Sequence, residues 1–441
     1  MGRFGTDGIR GAVGTEITVD LALRLGHAVG RRFGGPGRAV VLGRDPRRSG
    51  EMLTAALTAG LTATGTDVVD LGLVTTPCLV HASRDDAFVA GVMVSASHNP
   101  APDNGLKVVV DGRKAGDAAE GDLERLIDEG APMGTRPNAE LGRVRRDRGA
   151  ADAYRRQLVE VAGDAFAGLR IGVDCANGSA SVIAPDLFRA LGAEVTVLFD
   201  APDGTNINDG CGSTHPERLA ETVAAAGLDL GLAFDGDADR LIAVDETGAI
   251  VDGDAVMGIC ALERLSAGTL RNNVLVATVM SNGGLERAVT QAGGRMVRTP
   301  VGDRHVLEAM EREDAVLGGE QSGHIIFRDR SSTGDGLMTA IELVRALRAA
   351  GRPLSALAGR IPRLPQVVIN SAVARRDGWR DDPEFAAAIE RATERMGDRG
   401  RVLVRPSGTE PKIRIMVEGD DAGEIDEVAR ELATLAEARL N

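Results

Sequence analysis

Three stretches of this chain repeat one order of elements: strand, helix, strand, helix, strand, and then a polar loop. In the first, strands are expected over 39–43, 66–71 and 88–94. The spacing of Met52, Leu53, Ala56, Leu57, Gly60 and Leu61 predicts a helix between the first two. The second stretch runs through strands over 169–174, 194–198 and 230–234, and the third through strands over 274–278, 294–298 and 315–317. Strands separated by helices pair in parallel, because each crossover returns the chain to the same end of the sheet. Every polar loop then falls at the C-terminal edge of a sheet, where open α/β folds bind their ligands. The recurrence reads as an internal triplication with weak similarity between individual residues. Ahead of it, 3–11 is too glycine-rich for a helix and reads as a loop from which Arg10 projects, followed by a helix over about 18–33. The segment 113–150 is charged and rich in Gly and Pro, and its end is expected to be a domain boundary. The tail differs: strands from 367, over 401–404 and over 412–418, with helices over 383–396 and 425–439, make a small α+β unit. The divisions expected are 1–150, 151–252, 253–364 and 365–441.

A chain of 441 residues has room for about three or four domains. Aromatic residues are only 2% of it against 43% hydrophobic, so its cores must be built from Ala, Val, Leu and Ile. Scarce rings argue against a platform that stacks single-stranded bases. A net charge of -14 argues against binding to a phosphate backbone, so no nucleic-acid partner is expected. An anionic ligand would need a locally basic cleft. Cys78, Cys175, Cys211 and Cys260 lack paired metal-ligand spacing, and a chain of this size needs no disulfide staples. They read as reduced thiols of a cytoplasmic protein. No stretch is long and apolar enough to cross a membrane, and the N-terminus has no apolar signal region, so no membrane partner is expected.

The polar loops carry the chemistry. Ser95-Ala96-Ser97-His98-Asn99-Pro100 ends the first unit, and Pro100 biases Asn99 away from helix, which leaves Ser97 on a loop at the strand's edge. Asp235, Asp237 and Asp239 alternate with Gly236 and Ala238. Three carboxylates so spaced converge on one hard cation and repel each other without it. Removing one should therefore not destabilise the metal-free protein. An EF-hand loop is a rival, since Glu246 falls at its twelfth position. Its sixth position, however, is Arg240 rather than Gly, and both flanks read as strands. Mg²⁺ fits better, with Arg240 free to hold a phosphate oxygen beside it. Glu320-Gln321-Ser322-Gly323-His324 offers donors and acceptors suited to sugar hydroxyls. Arg405-Pro406-Ser407-Gly408-Thr409-Glu410-Pro411, with Arg414 on the following strand, reads as a phosphate clamp of hydroxyls, backbone amides and guanidinium groups.

Taken in order, these four loops resemble those of the α-D-phosphohexomutase superfamily, and the similarity extends over essentially the whole chain. Within the superfamily they are most similar to the branch acting on glucosamine phosphates. Gln321 leans that way, as do Phe-Gly-Thr-Asp-Gly-Ile-Arg-Gly at 4–11 and Asn-Ile-Asn-Asp-Gly-Cys-Gly-Ser-Thr-His at 206–215. Ala238 departs from the pattern, which more often has Gly there. The resemblance implies an α/β fold: three similar α/β domains with mixed, largely parallel sheets plus a C-terminal α+β domain around a central cleft. It implies conversion of glucosamine 6-phosphate to glucosamine 1-phosphate through a phosphoserine at Ser97 and a bisphosphate intermediate. Catalytic roles are implied for Ser97, Lys107, His324 and Arg10. One Mg²⁺ would be held by Ser97, Asp235, Asp237 and Asp239. Substrate contacts are implied for Arg240, Glu320, Ser322, Arg405, Ser407, Gly408, Thr409 and Arg414. The partners implied are a hexosamine phosphate, a priming sugar bisphosphate and an activating kinase, for a monomer or homodimer.

Three rivals stand beside this reading. One is a phosphomannomutase or phosphoglucomutase of the same superfamily. Another is a phosphatase with Asp235 as nucleophile, which predicts phosphoaspartate and a dispensable Ser97. The third is a sugar-phosphate sensor without turnover. Lysine usage bears on the chemistry: only Lys107, Lys114 and Lys412 occur among 51 basic residues. Where Arg serves for plain positive charge, a retained Lys points to a proton that must be released. Lys107, ten residues beyond Ser97, fits that role. Lys114, in a charged stretch, reads as a chance retention on the surface.

Overall fold

The computed structural model describes residues 3–5, 7–129, 134–147, 149–374, 378–406 and 412–441. Its three α/β units share one sheet order. In the first, Asp67–Leu73, Ala39–Arg44 and Phe88–Val94 lie side by side in parallel, and Asp103–Val110 follows antiparallel. In the second the same places are taken by Glu194–Leu198, Arg170–Asp174, Leu230–Phe234 and antiparallel Leu241–Asp245. In the third they are taken by Arg295–Thr299, Val274–Thr278, Leu317–Gly319 and antiparallel Ile325–Phe327. Each polar loop is thus the connection of a hairpin, clamped between a parallel strand and its antiparallel return. The return strand after Asp239 agrees with the strand expected on that flank, whereas the other two return strands are additions to the sequence reading. Asp103–Val110 opens on Asp-Asn-Gly, which by local preference reads as a turn, yet its middle is buried within the sheet.

One expectation changes. Ile9–Ala12 is a strand rather than a loop, pairing antiparallel with Asp103–Leu106 so that Arg10 stands opposite Gly105. Its hydrogen bonds come from a partner about a hundred residues away, which a local reading cannot supply. The charged segment 113–150, whose end is the expected boundary, contributes described elements to the first unit. It holds the helix Asp117–Asp128 and the short strand Val144–Arg146, which runs parallel beside Asp67–Leu73.

The cores are aliphatic, as the composition required. The largest ring group is Phe166, Phe188 and Phe234, stacked in sequence at 4.9 and 6.5 Å in the second unit. Helix starts are capped by side chains that accept first-turn amides: Thr18 for Leu21, Thr75 for Cys78, Asp252 for Ala255 and Asp335 for Met338. The C-terminal unit is a three-stranded antiparallel sheet, with Lys412–Gly419 between Gln366–Ala372 and Gly400–Pro406. Helices Pro383–Met396 and Ala422–Arg439 cover it over a core of its own that includes Phe385, Ile415 and Leu432. It docks on the third unit through Arg401, which donates to the carbonyls of Val279 and Ser281. Among the described residues, no helix is long and apolar enough to cross a membrane.

Candidate active site

Ser97 sits where the Phe88–Val94 hairpin turns, 1% exposed, with a left-handed φ of +53°. Its amide donates to Ser95 Oγ at 2.9 Å, and Ser95 Oγ donates to Asp45 Oδ2 at 2.6 Å. Buried Arg47 gathers the loop's carbonyls, donating to Ser97 O, Asn99 O, Pro100 O and Asp103 O at 3.1, 2.7, 2.5 and 2.9 Å. Asn208 Nδ2 adds bonds to Ser97 O and Asn99 O at 2.9 and 3.0 Å. Asp45 and Arg47 follow an unremarkable strand and carry no sequence signal; Asn208 falls in the 206–215 stretch that supports the resemblance, without a role of its own there. Only the fold brings the three to Ser97. Burial pushes the Asp45 carboxyl up, opposed by Arg47 and Ser95. Arg47→Met would leave that carboxylate buried without its partner, a loss of about 3–5 kcal/mol. A urea midpoint that moves correspondingly is expected. A midpoint equal to the parent's would mean the five contacts contribute nothing.

The hairpin that carries Asp235, Asp237 and Asp239 meets this loop tip to tip. Ser97 Oγ donates to Asp235 Oδ2 at 2.5 Å. Gly236 permits the approach, since a Cβ there would come within 2.5 Å of the Ser97 carbonyl. Ala238 occupies a left-handed turn at φ +58°, which an alanine adopts at a cost of about 1 kcal/mol and a glycine freely. Asp235, Asp237 and Asp239 are buried, with one carboxylate oxygen of each within 4.8 Å of the others. Asp237 Oδ1 and Asp239 Oδ1 are buried without a hydrogen-bond partner. An all-oxygen set with orphaned acceptors suits a hard divalent cation.

Lys107, 2% exposed, lies among these carboxylates. Its Nζ is 2.7 Å from Asp237 Oδ2, 3.6 Å from Asp239 Oδ2 and 3.2 Å from Asp7 Oδ2. Burial pushes Asp237 up, but Lys107 and Thr76 Oγ1, which donates at 2.5 Å, hold it well below the usual carboxylate range. Asp235 goes the other way: burial with the neighbouring Asp239 and Asp237 pushes it well up, against the Arg240 charge and the bond from Ser97. The expectation of three unpaired, mutually repelling carboxylates is therefore corrected. Removing Asp237 takes away the nearest partner of a buried ammonium.

A basic rim faces the cluster. Arg240 donates its amide to Asp235 Oδ1 at 3.1 Å and keeps its Nε buried and unbonded. Arg10 pairs with Asp7. Burial, then the charges of Arg240 and Arg10, pull the His98 imidazole down to about 4. His324 is 4% exposed, and its Nε2 lies 3.9 Å from Asp239 Oδ2 and 3.8 Å from Asp303 Oδ2. Its ring rests on Gly334, where any Cβ would fall within 2.4 Å of it. Glu320 Oε1 accepts from the Gly302 amide at 3.0 Å, and Ser322 is exposed on the same loop. Lys114 is no surface residue. Its side chain is 15% exposed, and its ammonium is ion-paired with both Asp7 and Asp303. In the C-terminal unit Arg405 stands directly opposite Arg414 across the strand pair. Burial and then the Arg414 charge pull Arg405 down, and Arg414 Nε is buried without a hydrogen-bond partner. Like charges so placed repel each other and favour an anion between them. Ser407, Gly408 and Thr409 lie outside the described residues.

Ser97, Lys107, Arg10, the three aspartates, Arg240 and His324 are thus brought together from three units. The chain also matches the family described as phosphoglucomutase/phosphomannomutase, with alpha/beta/alpha domains I, II and III over residues 1–132, 152–248 and 252–364 and the C-terminal domain over 368–435. A phosphoglucomutase/phosphomannomutase family protein from Burkholderia thailandensis has a solved structure that superposes with a TM-score of 0.82. The two are 29% identical, with 99% of this chain and 98% of that one covered. The phosphoglucosamine mutase of Symbiobacterium thermophilum is 51% identical over 443 residues, and that of Moorella thermoacetica 49% over 441, each with 99% of both chains covered. With relatives of that name matching it from end to end, the chain belongs to the phosphoglucosamine mutases of the phosphoglucomutase/phosphomannomutase family.

Proposed function

We propose that the protein interconverts glucosamine 6-phosphate and glucosamine 1-phosphate, with the phosphoryl group carried on Ser97. The observation that carries this is the bond from the Ser97 hydroxyl to Asp235, one of three buried carboxylates facing a rim of arginines. The Oγ–P bond of phosphoserine 97 breaks as the free sugar hydroxyl bonds to phosphorus; the Lys107 ammonium gives a proton to the departing Ser97 Oγ and takes up the proton of the sugar hydroxyl. The bisphosphate then presents its other phosphate, which returns to Ser97 as the proton of the Ser97 hydroxyl passes to Lys107 and Lys107 gives one to the departing sugar oxygen. Arg10 and Arg240 hold the transferring phosphoryl oxygens. Arg405, Arg414, Ser407, Gly408 and Thr409 grip the phosphate that is not reacting. Glu320 and Ser322 bind ring hydroxyls, and His324 is the second proton-handling group. Asp235, Asp237, Asp239 and an oxygen on Ser97 would hold one Mg²⁺, which offsets charge on the transferring group. A sugar bisphosphate or a kinase first loads Ser97. Four free, buried thiols suit the cytoplasm.

Turnover of glucosamine, glucose and mannose phosphates, measured side by side, tests this reading. A preference for glucose or mannose would move the protein to a sister activity, and phosphate release without isomerisation would make it a phosphatase. Metal dependence gives a further expected result. A chelator should abolish turnover and Mg²⁺ restore it. Asp237→Asn should need at least about 100-fold more Mg²⁺. It should also unfold at lower urea, because Lys107 loses the carboxylate at 2.7 Å. Mn²⁺ titrated calorimetrically into both proteins reads the site without turnover, and equal affinities would remove Asp237 from it.

A further inference from the structure

We infer that Lys114 is a positioning residue that keeps the two proton-handling groups, Lys107 and His324, in register across the junction of the first and third units. Its ammonium stands between two carboxylates. Asp7, on the N-terminal loop, also pairs with Lys107 at 3.2 Å and with Arg10. Asp303 starts the helix Asp303–Arg312 of the third unit and lies 3.8 Å from His324 Nε2. One side chain, on the short strand Arg113–Lys114 that pairs with Asp103–Val110, therefore addresses both groups, each through its own carboxylate.

The contact is built for this. Neither nitrogen of His324 has a hydrogen-bond partner. What orients the ring is packing on Gly334 and the flanking charges of Asp239 and Asp303, so the place of Asp303 decides the place of the imidazole. Gly302, next to Asp303, donates its amide to Glu320, so the same contact reaches the candidate sugar loop. Burial pushes the Asp303 carboxyl up, but Lys114, His324 and Lys107 hold it far below its ordinary range. Around Lys114 the junction is completed by Arg304, which donates to Ala115 O at 2.9 Å and pairs with Glu120 at 2.7 Å. Those contacts hold the units together, and Lys114 alone among them touches carboxylates that face the reacting groups.

The inference rests on the mutase reading, and its test is chosen to separate the two. Lys114→Met in the full chain should lower kcat about 100-fold, the loss that follows a displacement of about 1 Å. KM for glucosamine 6-phosphate should change less than about threefold, and phosphate should remain on Ser97. Lys114→Arg should recover about tenfold of the loss. Amide hydrogen exchange should speed up at Gly302 and over 320–324 in Lys114→Met and stay unchanged in the second unit. Parent-like kcat, or unaltered exchange at Gly302, overturns the inference. So does a uniform rise in exchange with a lowered melting temperature, which would make Lys114 merely structural. If the parent turns over none of the sugar phosphates, the mutase reading fails, and local exchange still decides whether Lys114 holds the third unit in place.

Discussion

Ser97→Ala should lose mutase turnover by about 10⁴-fold or more, the scale expected when a covalent nucleophile is deleted. Among the described residues, the hydroxyls nearest Ser97 are engaged elsewhere. Ser95 Oγ is committed to Asp45 and the Ser97 amide, and Thr76 Oγ1 to Asp237. The fold should survive, because Arg47 and Asn208 hold the loop through carbonyls that alanine retains. The φ of +53° is strained for serine and alanine alike. A coupled mutase assay and mass mapping of phosphate check this together. Turnover surviving in Ser97→Ala, with phosphate trapped on Asp235, would convert the site into the Asp-x-Asp phosphatase considered from the sequence.

Lys107→Arg should keep substrate affinity and phosphoserine 97 while losing turnover by about 10²–10⁴-fold, the usual contribution of a positioned acid or base. Arginine preserves the positive charge that Asp237, Asp239 and Asp7 require, so the ion pairs at 2.7, 3.6 and 3.2 Å have a cation to close on. What it cannot do is release a proton near neutral pH. Lys107→Met is the less informative variant. It leaves buried carboxylates without a cation and should destabilise the protein by about 3–5 kcal/mol, mixing stability with catalysis. If Lys107→Arg turns over like the parent, Lys107 is an electrostatic anchor. The proton then belongs to another group, with His324 next in place.

What could be read from the residues was whatever is local. The alternation of Asp235, Asp237 and Asp239, the small residues around Ser97 and the Gly-flanked loop ending at His324 each declare themselves within about six positions. The strand–helix period that carries them is equally local. What escaped depends on pairing over long distances. Ile9–Ala12 is extended because Asp103–Leu106 lies beside it. Arg47 is indistinguishable in sequence from its neighbour Arg48, yet its side chain is enclosed by the loop it organises. Lys114 looked like a surface residue because the carboxylates that enclose it stand 107 and 189 positions away. Rarity of lysine is the one signal that flags it, and the charged stretch around Lys114 masks that signal.

The attachment of the Ser97 loop bears on how the proposed cycle proceeds in time. Every proposed turnover discharges and reloads this serine, changing the loop's charge by nearly two units each way. Yet the bonds from Arg47 and Asn208 end on carbonyls, and the hydroxyl that changes bonds only to side chains, Asp235 at 2.5 Å and His98 Nδ1 at 3.5 Å. Loading the serine therefore exchanges side-chain contacts and leaves the backbone with a single conformation to occupy. Neither charge state selects a different loop, and a state with equal standing in both forms shifts no population. The loop should show the same amide exchange with and without phosphate, and whatever motion limits turnover must lie elsewhere, in the units that carry the sugar.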